Sequence, residues 1–424
     1  MKDDGVKRIL ILSNECLSSV TSNGRTLANF FIGYPKECLA QFSVQSVAPD
    51  YERCERYFCV TDKEALQAFT RGKRVGKRLQ PVKQEIMPNT IPRAYPRTAL
   101  TMYLRDLVWS SKRWQKGAFT EFVEEFRPEV LLLQAGDCAF MFRLARQLSK
   151  KYHIPLVIYN TEGYFFKKHD YFRAKGLAHW IYPIFRRRFC KAFRKTMKMA
   201  SYTIYNCKAL QQDYAEYFHV PSEVLYTATQ VEPRDQQAVR KQPRITYLGK
   251  MEVGRHRGLI KLANILAEVS PDSRLDVYGK IPGESQENEM RACKHLNLCG
   301  FVSYDEVKKI MCESDILVHV ECFEDFYRVD SKYAFSTKIA DTLACGTCFL
   351  FFAPKEFACT RYLAENDAAF VATDETEAKK LLQMLLEAPE KRALHFENAQ
   401  KLVKANHQAE QNAARFAEIL NTVS

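Results

Sequence analysis

The feature that most constrains this chain is an alternation, run twice, of short apolar segments with helical patterns. Candidate strands in the first half are Arg8–Leu12, Phe42–Val47, Tyr57–Val60, Val130–Leu133, Leu156–Tyr159, Tyr202–Tyr205 and Glu223–Tyr226. Helical patterns fall between most of them, as at Gly24–Phe31, Ala139–Lys150 and Lys208–Phe218. A polar stretch bearing Pro and Gln, from Thr229 to Gln242, then reads as a linker. The alternation restarts with Ile245–Leu248, Arg274–Tyr278, Leu296–Gly300, Ile316–Val320, Cys348–Phe352 and Ala369–Val371. Strands that are apolar on both faces need cover on both faces, which crossover helices supply, so the pattern makes parallel sheets with right-handed crossovers. The expectation is an α/β chain with two Rossmann-like, doubly wound domains facing across a cleft. Residues 1–228 form the first and 243–405 the second. The charged helical pattern from Pro389 to Ile419 has no strand after it, so residues 406–424 are expected to cross back to the N-terminal domain. Ligands of such sheets bind beyond the carboxyl ends of the strands.

Charge location says more than total charge. The formal net charge is +13, yet residues 71–84 carry six Lys/Arg and no acid, and residues 171–200 carry nine and no acid. The remainder is slightly acidic. A nucleic-acid coat would spread its basic footprint over a binding face, so nucleic acid is not the expected partner. Within 183–200, Pro183 suits a first helical turn. At about 100° per residue, Arg187, Lys191, Arg194 and Lys198 share one face, and Tyr182, Phe185, Phe189, Phe193 and Ala200 lie opposite. That arrangement suits a helix resting on an anionic membrane. It equally suits a helix whose aromatic side packs on the core while its basic side is solvated. The 71–97 region, basic and Pro-bearing, reads as a flexible loop. The longest apolar runs are about six residues, such as Cys348 to Ala353, too short to cross a bilayer. The apolar run Ile9–Leu12 is too brief for a signal peptide. A cytoplasmic protein is expected, soluble or peripheral at the inner face of the membrane. The fourteen Cys lack framework spacing and suit reduced thiols. Cys345 and Cys348 form a CxxC without a second pair or a nearby His pair, so no metal is expected.

Ser336-Thr337-Lys338-Ile339-Ala340-Asp341-Thr342-Leu343-Ala344-Cys345-Gly346 places hydroxyls and a Lys at a helix start, ahead of an apolar strand. A helix N-terminus collects unpaired N–H groups and a partial positive charge. Lys338 adds a full charge, and Asp341 lies about 7.5 Å further along the axis, at about 1.5 Å per residue. A carboxylate there reaches a ribose while the helix start holds a diphosphate. The same residues also fit an ordinary capped helix. In the first half, Ser18 to Gly24 joins the first strand to its helix, and Gly24 permits φ > 0 and close approach of a ligand, or simply makes a turn. Asn160, Glu162 and His169 follow the Leu156–Tyr159 strand and are expected to face the cleft. Glu162 is the foremost acceptor contact, or a solvated loop carboxylate.

Over nearly its whole length the chain resembles the family-four retaining glycosyltransferases of the GT-B fold, most closely from Ile245 to Phe352. Tyr247-Leu248-Gly249-Lys250 with Arg255 is similar to the opening strand and loop of that family's donor domain, where paired basic residues hold the donor diphosphate; Lys250 and Arg255 fall at those positions. Ser336 to Gly346 is similar to the signature helix, with Asp341 in place of the Glu that binds the ribose. Phe301 and Val302 fall where the family holds the nucleobase. The family often carries two Glu separated by seven residues, and the earlier position here is Tyr333; Glu321, Glu324 and Asp330 are nearby acids.

The resemblance implies transfer of a sugar, with retention, from a nucleotide diphosphate sugar, UDP foremost, to a hydroxyl of a glycan or lipid-linked acceptor. The Ser-Thr-Lys-Ile variant leans toward bacterial surface-polysaccharide and capsule enzymes. Arg255 and Lys338 then carry catalysis by stabilising the leaving diphosphate. Lys250, Phe301, Val302, Ser336, Thr337 and Asp341 bind the donor, and Gly24, Asn160, Glu162 and His169 meet the acceptor. No metal or cofactor is required. Two alternatives share the fold: a sugar-nucleotide epimerase or hydrolase, and a catalytically silent partner subunit, the latter because of Tyr333.

Overall fold

The computed structural model describes residues 5–18, 21–45, 48–81, 96–229, 231, 240 and 243–423. They form two compact units, Met1–Tyr226 with Ala409–Ser424, and Thr227–Gln408.

The first unit is built on an eight-stranded sheet: β1 (Ile9–Ser13), β2 (Leu39–Ser43), β3 (Arg56–Cys59), β4 (Lys77–Arg78), β5 (Val130–Gln134), β6 (Leu156–Asn160), β7 (Tyr202–Tyr205) and β8 (Ser222–Val224). Their order is β4-β3-β2-β1-β5-β6-β7-β8, parallel throughout except β4, which pairs antiparallel with β3. Its helices are α1 (Ser22–Ala28), α2 (Asp62–Arg71), α3 (Ala99–Ser110), α4 (Ala118–Phe126), α5 (Ala139–Tyr152), α6 (Leu177–Trp180), α7 (Tyr182–Met197) and α8 (Lys208–Ala215). β1 reads Ile-Leu-Ile-Leu-Ser and is wholly buried, as a central strand covered on both faces must be. The expected strand Phe42–Val47 lies three residues earlier, at Leu39–Ser43. Gln41 hides it from an apolar scan, yet this side chain is buried and satisfied by Leu17 N (2.7 Å), Ser13 Oγ (2.7 Å) and Glu15 O (3.3 Å). Ser46 and Val47 lie outside the described residues.

The second unit carries β9 (Ile245–Leu248), β10 (Leu275–Tyr278), β11 (Leu296–Gly300), β12 (Ile316–Val320), β13 (Cys348–Phe352) and β14 (Phe370–Ala372), ordered β11-β10-β9-β12-β13-β14 and all parallel. Its helices are α9 (Arg255–Val269), α10 (Glu284–Ala292), α11 (Tyr304–Glu313), α12 (Asp325–Ser331), α13 (Lys338–Ala344), α14 (Ala358–Glu365), α15 (Glu375–Glu387) and α16 (Phe396–Asn406). Strand order reverses between β9 and β12 here, and between β1 and β5 in the first unit. Those are the switch points where a doubly wound sheet opens a crevice.

Two expectations are corrected. The pattern from Pro389 to Ile419 is not one helix: a 3-10 turn (Pro389–Ala393), α16 and α17 (Ala409–Thr422) succeed one another. The break at His407 has a cause. Its buried ring uses both nitrogens, Nδ1 with Thr227 O (2.7 Å) and Nε2 with Tyr362 Oη (2.8 Å). α17 then belongs to the first unit, where Phe416, Ile419 and Leu420 join Ile9, Phe30 and Phe31 in the core. Next, the stretch expected as a loop over 71–97 contains edge strand β4, and Arg74 and Arg78 pair with Glu121 and Glu125 of α4; residues 82–95 lie outside the described residues, as do 230, 232–239 and 241–242 of the expected linker. In α7 the aromatic face packs on the core, as one of its two readings has it, and the basic face is solvated. Tyr182, Phe185, Phe189 and Phe193 are buried, Phe193 stacking on Phe165 and Tyr214. Arg187, Lys191, Arg194 and Lys198 are exposed.

Candidate functional site

In the second unit the β9–β12 switch point gathers charge. The loop after β9 turns through Val253 and Gly254, both at positive φ (58° and 76°), the former a strained conformation for a β-branched residue. A Cβ on Gly254 would lie 2.6 Å from Cys322 Sγ, so the loop can press against the chain leaving β12 only with Gly here. This turn delivers Arg255 as the first residue of α9. Its Nε and Nη2 donate to Glu321 Oε2 and Oε1 at 2.9 and 2.7 Å. Glu321 follows β12 directly, and His319, two residues earlier on the same face, sets Nε2 3.0 Å from Glu321 Oε1. His319 in turn stacks on Phe351 of β13.

The energetics of this cluster follow from its burial. Burial alone pushes the Glu321 carboxyl up, but Arg255 and the His319 hydrogen bond outweigh it and hold it down at about 2. Burial lowers the His319 pKa, with Arg255 and Lys338 acting in the same direction against the pull of Glu321. Lys338 therefore belongs to the same electrostatic neighbourhood as Arg255. A guanidinium offers five N–H donors, of which the bidentate pairing uses two.

The structure places the other expected donor residues as follows. Lys250 is exposed in the β9–α9 loop, where its carbonyl accepts from Tyr247 Oη (2.9 Å). Lys338 opens α13, partly buried. Thr337 precedes it with no side-chain cap hydrogen bond, and Ser336 Oγ accepts from Lys338 N at 3.4 Å. Asp341 is buried, and its Oδ1 accepts from the Thr229 hydroxyl at 2.7 Å. Phe301 is exposed and Val302 half-buried just past β11, two strands from β9. Tyr333 is buried, with Lys332 Nζ donating to its Oη (3.1 Å). Of the nearby acids, Glu321 is committed to Arg255, while Glu324, at the start of α12, takes Arg257 at 2.6 and 2.7 Å.

In the first unit, Asn160 is the last residue of β6 and is buried, with no hydrogen-bond partner at either end of its amide. Extending the β1–β5 and β5–β6 registers puts Asn14, Ala135 and Asn160 on one line across the carboxyl edge of the sheet. Asn14 Oδ1 on that line and Asn206 Oδ1 after β7 are likewise buried without partners. Beside them, Asp137 pairs with Arg97 and accepts from Tyr171 Oη (3.0 Å). Buried amides that no protein group satisfies are costly unless a ligand or water meets them. Glu162 is partly exposed, 3.8 Å from Lys167 Nζ, and His169 is exposed on the following loop.

Gly24 is corrected. It lies inside α1 at ordinary helical φ and is buried, and a Cβ there would meet Thr21 Oγ1, Ser18 N and Cys16 O at 2.7–2.9 Å. The expected positive φ is therefore absent, and the missing side chain makes room for the Thr21 cap on the Gly24 N–H (3.1 Å). Ser19 and Val20 of the same loop lie outside the described residues. His319, Asn14, Asp137 and Thr229 were missed. Polar residues at i and i+2 closing an apolar strand, His319 and Glu321, were the available signal for the first.

Residues 255–418 match the glycosyl transferase-like family. The chain has the GT-B fold, and residues 255–418 form a glycosyl transferase-like domain. Among solved structures, that of Anabaena HepE in complex with UDP-glucose is similar over 98% of this chain and 100% of its own, at 13% identity and a TM-score of 0.62. A glycosyltransferase from Rickettsia africae matches over 99% of both chains at 10% identity and a TM-score of 0.60. WaaG, a glycosyltransferase involved in lipopolysaccharide biosynthesis, matches over 96% of this chain and 99% of its own at 11% identity and a TM-score of 0.53. No curated protein sequence matches this one. The matched domain begins at Arg255 and takes in Glu321, Lys338 and Asp341.

Proposed function

We propose that the protein transfers a sugar from a nucleotide diphosphate sugar, with retention, to a hydroxyl of a glycan or lipid-linked acceptor in bacterial surface-polysaccharide synthesis. The observation that carries this reading is the Arg255–Glu321–His319 cluster, with Lys338, at the switch point of the matched domain's sheet. UDP is the favoured nucleotide, because the structurally similar HepE is seen with UDP and with UDP-glucose. In this reading the diphosphate lies against Arg255, Lys338 and Lys250. Asp341 takes the ribose, Ser336 and Thr337 flank the phosphates, and Phe301 with Val302 borders the base.

The bond between the anomeric carbon and the diphosphate oxygen breaks, and its electron pair stays on the phosphate. The acceptor oxygen bonds to the same face of that carbon, and its proton passes to the leaving phosphate. Lys338 and Arg255 stabilise the charge that develops there, a contribution of about 2.7–4 kcal/mol for one well-placed donor. In this reading the two cations meet that charge without a metal. Asn160, with the Asn14 row behind it, and Glu162 meet the acceptor; unpaired buried amides suit a polyhydroxylated ligand. The protein then works on the cytoplasmic side, in contact with the membrane where its acceptor is anchored. No described helix is long and apolar enough to cross a membrane.

Tyr333, buried where the family often has its first Glu, favours one second reading, a partner subunit that binds donor without turning it over. Thermal-shift screening against nucleoside diphosphates and their sugars tests donor binding. Labelled-donor product analysis with assignment of the anomeric configuration follows. UDP-sugar binding with no transfer and no hydrolysis supports the silent subunit; stabilisation by no nucleotide overturns both readings.

A further inference from the structure

We propose that α2, α3, α6 and the start of α7 build a membrane-docking face on the first unit, which inserts an apolar strip into an anionic bilayer. This deepens the acceptor reading, on which it rests for its purpose, by naming a surface that α7's aromatic face cannot supply. Twelve large apolar side chains are exposed on the described residues, and seven of them sit on these four helices: Leu66 and Phe69, Leu104 and Leu107, Leu177 and Trp180, and Ile184. α3 packs against each of the other three. Single exposed apolar residues need no explanation, but a concentration of them does. Leu177 and Trp180 are 72% and 77% exposed, and Trp is the side chain best suited to an interface with one apolar and one wet side.

Charge selects the occupant. The acids of the four helices are Asp62, Glu64 and Asp106. Asp62 is held by Arg105 Nε (2.7 Å) and Trp109 Nε1 (2.8 Å). Glu64 completes the α2 capping box. Asp106 takes Arg143 and Arg188. Charge left exposed on these helices is therefore basic, as at Lys63, Arg71, Arg187 and Lys191. Ile181 is αR, so α6 runs on into α7, and Leu177, Trp180, Ile184, Arg187 and Lys191 follow at helical spacing, apolar at one end and basic at the other. Anionic lipid complements such a face, with acyl chains for the strip and headgroups for the rim. A second copy of the chain would bring the same positive rim against itself.

The test uses the full chain, without donor or acceptor, and phosphatidylcholine vesicles with or without phosphatidylglycerol. Of the three Trp, Trp109 and Trp114 are fully buried, so a change in Trp emission on binding reports Trp180. The expected result is sedimentation with the anionic vesicles only, a blue shift, and weakening at higher salt. Leu177→Ser with Ile184→Ser should weaken binding at least about tenfold, and Arg187→Glu with Lys191→Glu should abolish it. Unchanged melting midpoints establish that the variants fold. Equal binding to neutral vesicles, binding without a blue shift, or wild-type binding by either variant overturns the proposal. So does a concentration-dependent dimer that the same substitutions dissociate. A failure here leaves nucleotide stabilisation untouched, so the two readings fall separately.

Discussion

Replacing Arg255 with Ala probes the second unit's cluster at its centre, and two effects follow. Arg255 holds Glu321 in a bidentate pair, and Glu321 is only 2% exposed. Removing one partner of a buried pair strands the other charge, at a cost of about 3–5 kcal/mol. Arg255→Ala should therefore lower the urea midpoint of the second unit. Arg255→Ala/Glu321→Gln relieves the stranded charge while keeping an acceptor for His319, and should recover most of that stability. It should not recover transfer, because the diphosphate loses the same guanidinium in both variants, about 100- to 1,000-fold in rate. Urea unfolding and transfer from UDP-sugar are measured side by side on wild type, both single variants and the double. If the double variant regains stability and turnover together, Arg255 acts only through Glu321 and its assignment to the diphosphate is refuted. If Arg255→Ala is as stable as wild type, the burial argument itself fails.

Asp341→Ala should raise the donor KM with little change in kcat, since a ribose contact is remote from the breaking bond; a fall in kcat at constant KM, with substrate binding at equilibrium, contradicts the role. Asn160→Ala should leave urea stability within about 1 kcal/mol, because it deletes polar atoms that are unpaired in the free protein, while transfer falls relative to donor hydrolysis; a large destabilisation with normal transfer would make Asn160 structural. Burial depresses the His407 pKa from 6.5 to about 4. The unfolded chain then binds more protons between those values, so stability is fully present above pH 6.5 and is lost as pH falls toward 4. The loss is about 3 kcal/mol at about 1.4 kcal/mol per unit, and urea midpoints of wild type and His407→Gln at pH 7.5 and 4.5 check it, the variant losing the smaller share.

Sequence alone determined the architecture, because strand and helix periodicities are local properties. Ile245–Leu248, Ile316–Val320 and Cys348–Phe352 are uniformly apolar and bounded by polar turns, so each strand end could be read without knowing its neighbours. The same locality placed Lys338 with Asp341 on one short helix, while Arg255 was reached only through the family resemblance, as the end of a loop. It failed where a side chain's partner lies far along the chain. Gln41 looked too polar for a core strand until Ser13 and Glu15 were seen to satisfy it, and His407 looked like mid-helix until Thr227 and Tyr362 claimed its ring. Glu321 was one of three interchangeable acids until folding brought Arg255, 66 positions away, against it. Which polar groups become paired, stranded or left for a ligand is decided by burial and by contacts across the sheet. Those are set only when β9 and β12, or β1, β5 and β6, lie side by side.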